Sequence, residues 1–157
     1  MTIQTRRIAP MSGRCIGGKP MGEVRVHVRL LNVGDVLGAR DGKLDPSQVR
    51  SVVAEAVVDT GSVRTVLPRD IAQQLGLKTR AQVWAEYADG RSELVDVTDP
   101  IYVEFEGRKE SDDPIVTGNE VMIGQTILEK LDLFVDCTRQ RLVPNPAHPD
   151  QAVNKVK

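Results

Sequence analysis

One run in this sequence has the residue types and spacing that hydrolytic chemistry needs: Val57-Val58-Asp59-Thr60-Gly61-Ser62. An apolar stretch ending in Asp-Thr-Gly-Ser sets a carboxylate at a sharp turn, where glycine permits unusual dihedrals and close backbone approach. Taken alone, the motif equally suits an ordinary turn, since Asp and Gly favour turns and Thr and Ser bond locally. Two carboxylates that share a proton can hydrolyse a bond without metal, one acting as base on a water and the other as acid toward the carbonyl. The chain holds no second Asp-Thr-Gly or Asp-Ser-Gly. Asp41-Gly42 and Asp89-Gly90 have the form of hairpin dipeptides, and Asp136-Cys137-Thr138 lacks the glycine. A two-fold homodimer that sets Asp59 against its own copy would supply the missing partner.

The elements that must position this turn read mainly as strands. Glu23 to Leu30 alternates Val24, Val26, Val28 and Leu30 against Glu23, Arg25, His27 and Arg29, which predicts a half-buried strand. Ser51 to Val58 is almost continuously apolar, broken by Glu55, and predicts a central strand buried on both faces that delivers Asp59 at its end. Between them, Gly34, Gly38, Asp41-Gly42 and Asp45-Pro46 predict a loop or loose hairpin over 32–48. Pro68 to Leu75 suits a short helix, without a good cap, that Gly76 stops. Strands over 82–88 and 92–97 are joined at Asp89-Gly90, and this hairpin carries Trp84 and Tyr87 on opposite faces. Ile101, Val103 and Phe105 alternate in a further strand, and Val116 and Val121–Ile123 form two short ones around Gly118-Asn119. A second helix comes next over 126–131, then a strand pair over 133–143. Seven to nine strands against two short helices predict an all-β fold, closed or sandwiched.

At 157 residues the chain suits one domain. Residues 1–21 read as a disordered basic lead, 22–144 as the domain and 145–157 as a Pro-rich tail. A net charge of -1 and a pI near 6.1 give no field to attract nucleic acid or an anionic membrane. No apolar run approaches the roughly 18 residues of a membrane span, and the N-terminus lacks the apolar middle of a secretory signal. A soluble, cytoplasmic protein is expected. Cys15 and Cys137 stand far apart without metal-ligand spacing, which suits a reducing compartment, with Cys137 as a small buried hydrophobe. His27 on a polar strand face and His148 in the tail read as solvated side chains.

The Asp59 run resembles the active-site loop of the retropepsin-like aspartic proteases (clan AA), particularly bacterial members. Thr65-Val66-Leu67-Pro68, Ile71-Ala72 and Leu75-Gly76-Leu77 continue the likeness. The Asp89-Gly90 hairpin falls where that family carries its flap. Met122-Ile123-Gly124, ahead of the second helix, matches the late apolar-apolar-Gly landmark, 65 residues beyond Asp59 (124 minus 59). The resemblance implies a small acid-protease-like closed barrel, one lobe per chain, with a flap hairpin and two short helices. It implies that Asp59 activates water, that Thr60 braces the two active-site loops across the dimer axis, and that Gly61 contributes backbone near the carboxylates. Ser62 would donate its hydroxyl to Asp59, favouring an acidic optimum. Trp84, Tyr87, Ala88, Asp89, Gly90 and Gly124 would line the path of an extended peptide that pairs with the flap as an added strand. No metal or cofactor is implied.

Two positions depart from the viral pattern. Gln125 and Thr126 replace an Arg and its polar partner after the late glycine, and 133–143 forms a strand pair where viral dimers interleave a single terminal strand. An actin-like Asp-x-Gly phosphate loop is a rival chemistry, but it needs a second lobe that this length does not house. The expected activity is therefore endopeptidase action on extended peptide or protein segments by a homodimer. The alternative is a catalytically silent dimeric module of the same fold that binds peptides or serves as a scaffold.

Overall fold

Branched aliphatic residues at every second position bury one face of the stretches 24–30 and 101–105, and the chain folds as a curled sheet over a core. The computed structural model describes residues 23–156, together with the backbone of Cys15–Ile16. The strands are β1 (Cys15–Ile16), β2 (Arg25–Asn32), β3 (Ser51–Val58), β4 (Val66–Leu67), β5 (Thr79–Glu86), β6 (Ser92–Thr98), β7 (Ile101–Phe105), β8 (Arg108–Asp112), β9 (Ile115–Val116), β10 (Val121–Ile123), β11 (Leu133–Asp136) and β12 (Arg141–Pro144). The helices are α1 (Val33–Arg40), α2 (Arg69–Gln74) and α3 (Gln125–Lys130). Nine strands form one sheet in the order β5-β6-β9-β4-β10-β3-β2-β7-β8, curled into a half barrel, and β1-β11-β12 form a second. The expectation of an all-β fold of this kind holds.

The core gathers Val26, Val28 and Leu30 of β2, Ala56 and Val58 of β3, Ile123 of β10, and Ile127 and Leu128 of α3. Leu67 of β4 and Leu75 after α2 are fully buried beside them. Each such Leu or Ile contributes about 1.5–3 kcal/mol relative to exposure. The alternation expected from Glu23 onward is seen residue for residue: Arg25, His27 and Arg29 are exposed and the intervening positions buried.

Several elements differ from the sequence expectation for identifiable reasons. The segment expected as a loop contains α1: the Asn32 side chain accepts the Asp35 N–H at 3.0 Å and donates to Leu75 O at 2.8 Å, so one buried amide caps the helix and ties it to α2. Strand β3 is central, but only its last three residues are buried, and Val53 is 68% exposed. Two-sided burial therefore begins only where β10 pairs with it, over Ala56 to Val58. Strand β8, Arg-Lys-Glu-Ser-Asp, has no apolar alternation to announce it; it forms because Glu106 and Gly107, both at positive φ, turn β7 back on itself.

Outside the domain body, the expectation of disorder over 1–21 falls on residues that lie outside those described, except for Cys15–Ile16, which pair in parallel with Val135–Asp136. Cys137 is buried as expected but is disulfide-bonded, so it is more than a packed hydrophobe. His148 is not a solvated side chain. Its Nδ1 lies 2.6 Å from the buried Asp132 carboxylate, which also takes N–H groups from Asn145 Nδ2 and Val153, clasping the tail to the end of α3.

Candidate active site

Strand β3 lies between β2 and β10, and its end is pinned from both sides. Val58 N–H donates to Val24 O and Asp59 N–H to Ile123 O, each at 2.9 Å. Asp59 thus leaves the sheet from a fixed point. The chain then turns: Ser62 N–H reaches Asp59 O at 3.2 Å, and Gly61 N–H donates to Asp59 Oδ1 at 2.9 Å. A side chain at Gly61 would place Cβ 3.1 Å from that oxygen, a tight contact that the Asp59 carboxylate would have to yield to by a few tenths of an ångström. Hydrogen bonds to a charged carboxylate contribute about 1.5–3 kcal/mol, and this one fixes the orientation of Asp59.

Glycine is required strictly at Gly124. A Cβ there would lie 2.6 Å from Arg64 O and 2.7 Å from Ser62 O, inside any tolerable contact. The gap is filled by backbone bonds: Gln125 N–H donates to Ser62 O at 2.7 Å and Thr126 N–H to Val63 O at 3.3 Å. Loop and helix therefore interlock although the Arg of viral members is absent. At Gln125 and Thr126 the amides, not the side chains, carry this link. The Gln125 side chain instead meets Glu129 at 2.9 Å.

Ser62 departs from expectation. Its hydroxyl donates to Arg64 O at 2.7 Å, not to the Asp59 carboxylate, so it shapes the loop and gives no support to an acidic optimum. The tight turn lets the Gly61 amide take the position beside Asp59 that Ser62 was expected to fill. Val63, next in the loop, is a residue that the motif does not single out. It stands 71% exposed beside Asp59-Thr60-Gly61, an apolar side chain in an otherwise polar turn, and that mismatch is its signal in the sequence.

The hairpin β5–β6 belongs to the same sheet, with β9, β4 and β10 between it and β3. Its strands reach Thr79 and Thr98, slightly longer than predicted. The tip is not a two-residue turn. Tyr87 N–H donates to Arg91 O and Gly90 N–H to Tyr87 O, which leaves Ala88, Asp89 and Gly90 as a three-residue loop with only Gly90 at positive φ, +85°. Asp89 accepts the backbone N–H and the guanidinium of Arg91, which hold its carboxyl below the usual carboxylate range.

Tyr87 and Trp84 part company here. The Tyr87 hydroxyl lies 2.6 Å from Thr117 Oγ1 and 2.9 Å from Glu93, with the Arg91 guanidinium 5.2 Å above its ring. Trp84 is 72% exposed, paired across the strands with exposed Leu94. Asp59, Gly61, Ser62 and Gly124 are brought together; Trp84 and Tyr87 to Gly90 sit apart on the hairpin. An open groove of about 700 Å³ lies elsewhere, lined among others by His27, Arg29, Glu104 and Pro144, and takes no residue from the Asp59 loop.

A pinned strand ending in Asp-Thr-Gly, threaded by a late glycine ahead of a helix, beside a sheet that extends into a long hairpin, defines an aspartic-protease type of fold. Residues 46–116 match the model of a family described as aspartyl protease, a span that takes in the Asp59 loop, the hairpin and β9. Over that span, less than half of the chain, the sequence resembles the aspartyl proteases, in keeping with the retropepsin-like likeness of the Asp59 loop. Among solved structures it is similar to EIAV protease complexed with the inhibitor HBY-793, at 14% identity, over 74% of this chain and 94% of that one, with a TM-score of 0.49. It is also similar to the retroviral protease-like domain of Ddi1 from Leishmania major, at 15% identity, over 78% of this chain and 90% of that one, with a TM-score of 0.46. No curated protein matches the chain.

Proposed function

We propose that the protein is an aspartic endopeptidase that works as a homodimer, cleaving extended peptide or protein segments with a water activated by two Asp59 carboxylates. The observation that carries this reading is the Gly61 N–H held on Asp59 Oδ1 within a loop whose carbonyls are locked by α3. A carboxylate oriented by backbone needs no reorganisation when a water is bound, and its second oxygen stays available to that water or to a partner carboxyl. One chain carries one such group, so the chemistry requires a second copy. In this reading exposed Val63 and Thr60 would face the loop of the second copy, with Thr60 making the cross-axis bond.

In this reading the hairpin closes over the bound segment and offers it backbone partners at Ala88, Asp89 and Gly90. A cytoplasmic location belongs to the proposal as well. The test is cleavage of a peptide library by the wild type and by Asp59→Asn at acidic to neutral pH. Cleavage confined to the wild type supports the enzyme. One observation favours the second reading, a silent peptide-binding module: the Tyr87 hydroxyl is already engaged by Thr117 and Glu93, which fastens the hairpin. If both proteins bind the peptides and neither cleaves them, that module is the correct reading.

A further inference from the structure

The Asp59 loop has two ends, and only the first belongs to the familiar motif. Its far end is Thr65, which is wholly buried. Both hydrogen-bond donors of Thr65 go to one carboxylate oxygen: Asp112 Oδ2 accepts the Thr65 N–H at 2.9 Å and the Thr65 hydroxyl at 2.6 Å. The other oxygen of Asp112 accepts the Asp113 N–H at 2.9 Å, and Thr65 O accepts the Ile115 N–H at 3.0 Å. Every polar atom of Thr65 is therefore committed. Asp112 is the last residue of β8, the far edge of the nine-stranded sheet, so its carboxylate joins that edge to the active-site loop.

We propose that Asp112 and Thr65 are positioning residues for the Asp59 site, which rests on the peptidase reading above. Arg64, adjacent to Thr65, carries the carbonyl that receives the Ser62 hydroxyl, and that carbonyl lies against Gly124. Fixing Thr65 fixes Arg64 O, hence Ser62, and hence the Ser62 carbonyl on which the first amide of α3 is seated. A buried carboxylate left without its donors is costly, so the pair stays engaged and the loop has one geometry. Neither residue touches the water or the substrate. They act by holding the turn in which Gly61 N–H meets Asp59, and small misplacements at a reacting centre lower turnover more than affinity.

The test compares Thr65→Val, which keeps the shape and removes the hydroxyl, with Thr65→Ser, which restores it. Peptide cleavage is measured together with hydrogen exchange at the Gln125 and Thr126 amides. Thr65→Val is expected to lower kcat by about tenfold with KM changed less than about twofold, and to speed exchange at those two amides by about tenfold. Thr65→Ser is expected to recover both. Wild-type turnover in Thr65→Val overturns the proposal, as does exchange that rises equally in β7, or a serine variant that behaves like valine. If Thr65→Val does not fold, Asp112→Asn, which keeps the shape with one acceptor oxygen, takes its place; unchanged exchange at Gln125 and Thr126 there overturns the proposal. A wild type that cleaves nothing removes the peptidase reading, and the exchange data still decide whether Asp112 holds the loop.

Discussion

The Asp59 loop and the hairpin tip are both turns between strands, yet they are held by different means. From Asp59 to Thr65 the loop is fixed chiefly by backbone groups: Ile123 O, the amides of Gln125 and Thr126, and the packing of Gly124 against two carbonyls. The hairpin joins the sheet at its base, where β6 pairs with β9, and beyond that pairing its tip is tied to the body by a side chain, Tyr87 on Thr117. Backbone bonds in a packed setting leave one geometry, whereas a single side-chain link opens at little cost. A site that must hold a carboxylate still and admit a peptide needs one region of each kind.

The strongest way to break the contrast is Gly124→Ala. Its methyl group meets two backbone carbonyls that cannot rotate away, so the expected loss is about 3 kcal/mol in chemical denaturation, with cleavage abolished. Next comes Tyr87→Phe. Losing the bond to Thr117 is expected to cost about 1 kcal/mol, and faster amide exchange should be confined to β5 and β6, leaving Gln125 unchanged. Equal acceleration in both regions would mean that the hairpin is not the independently mobile part.

Acid should separate the regions again. Hydrogen bonds from Gln82 and the Arg69 guanidinium hold the Asp96 carboxyl below its ordinary value of 3.8. With the folded value depressed, the link is fully present above the ordinary value and is lost as pH falls through the lower, folded one. Trp84, the single tryptophan, lies on β5 two residues from Gln82 and reports on this hairpin. Its emission should hold steady from neutral pH to about pH 4 and change below that. Asp96→Asn should remove most of the change. The smallest effect is expected for Trp84→Ala: with the ring 72% exposed, stability should move by less than about 0.5 kcal/mol, so that any loss in peptide binding reads as contact and not folding.

Much of this architecture is written in local patterns. The alternation in β2, the apolar run into Asp59, the hairpin and the late Ile123-Gly124 are each signalled within a few residues, and they carry the turn and its lock. The features that escape a local reading are set by distant partners. Helix α1 depends on Asn32 reaching Leu75 across 43 positions. Strand β8 is polar and exists because β7 pairs with it. Proximity in sequence points the Ser62 hydroxyl at Asp59, whereas the turn directs it to Arg64 O. Asp112 shows no local sign of its role, because Thr65 lies 47 residues earlier.

The central claim is that Asp59 is half of a site, and subunit mixing tests it most directly. Wild type and Asp59→Asn are combined at constant total concentration, allowed to exchange subunits, and assayed for peptide cleavage. If both carboxylates are required, activity varies as the square of the wild-type fraction, so an equal mixture retains about one quarter of full activity. Activity that falls in simple proportion, to about one half, would mean that each chain carries a complete site and would contradict the account.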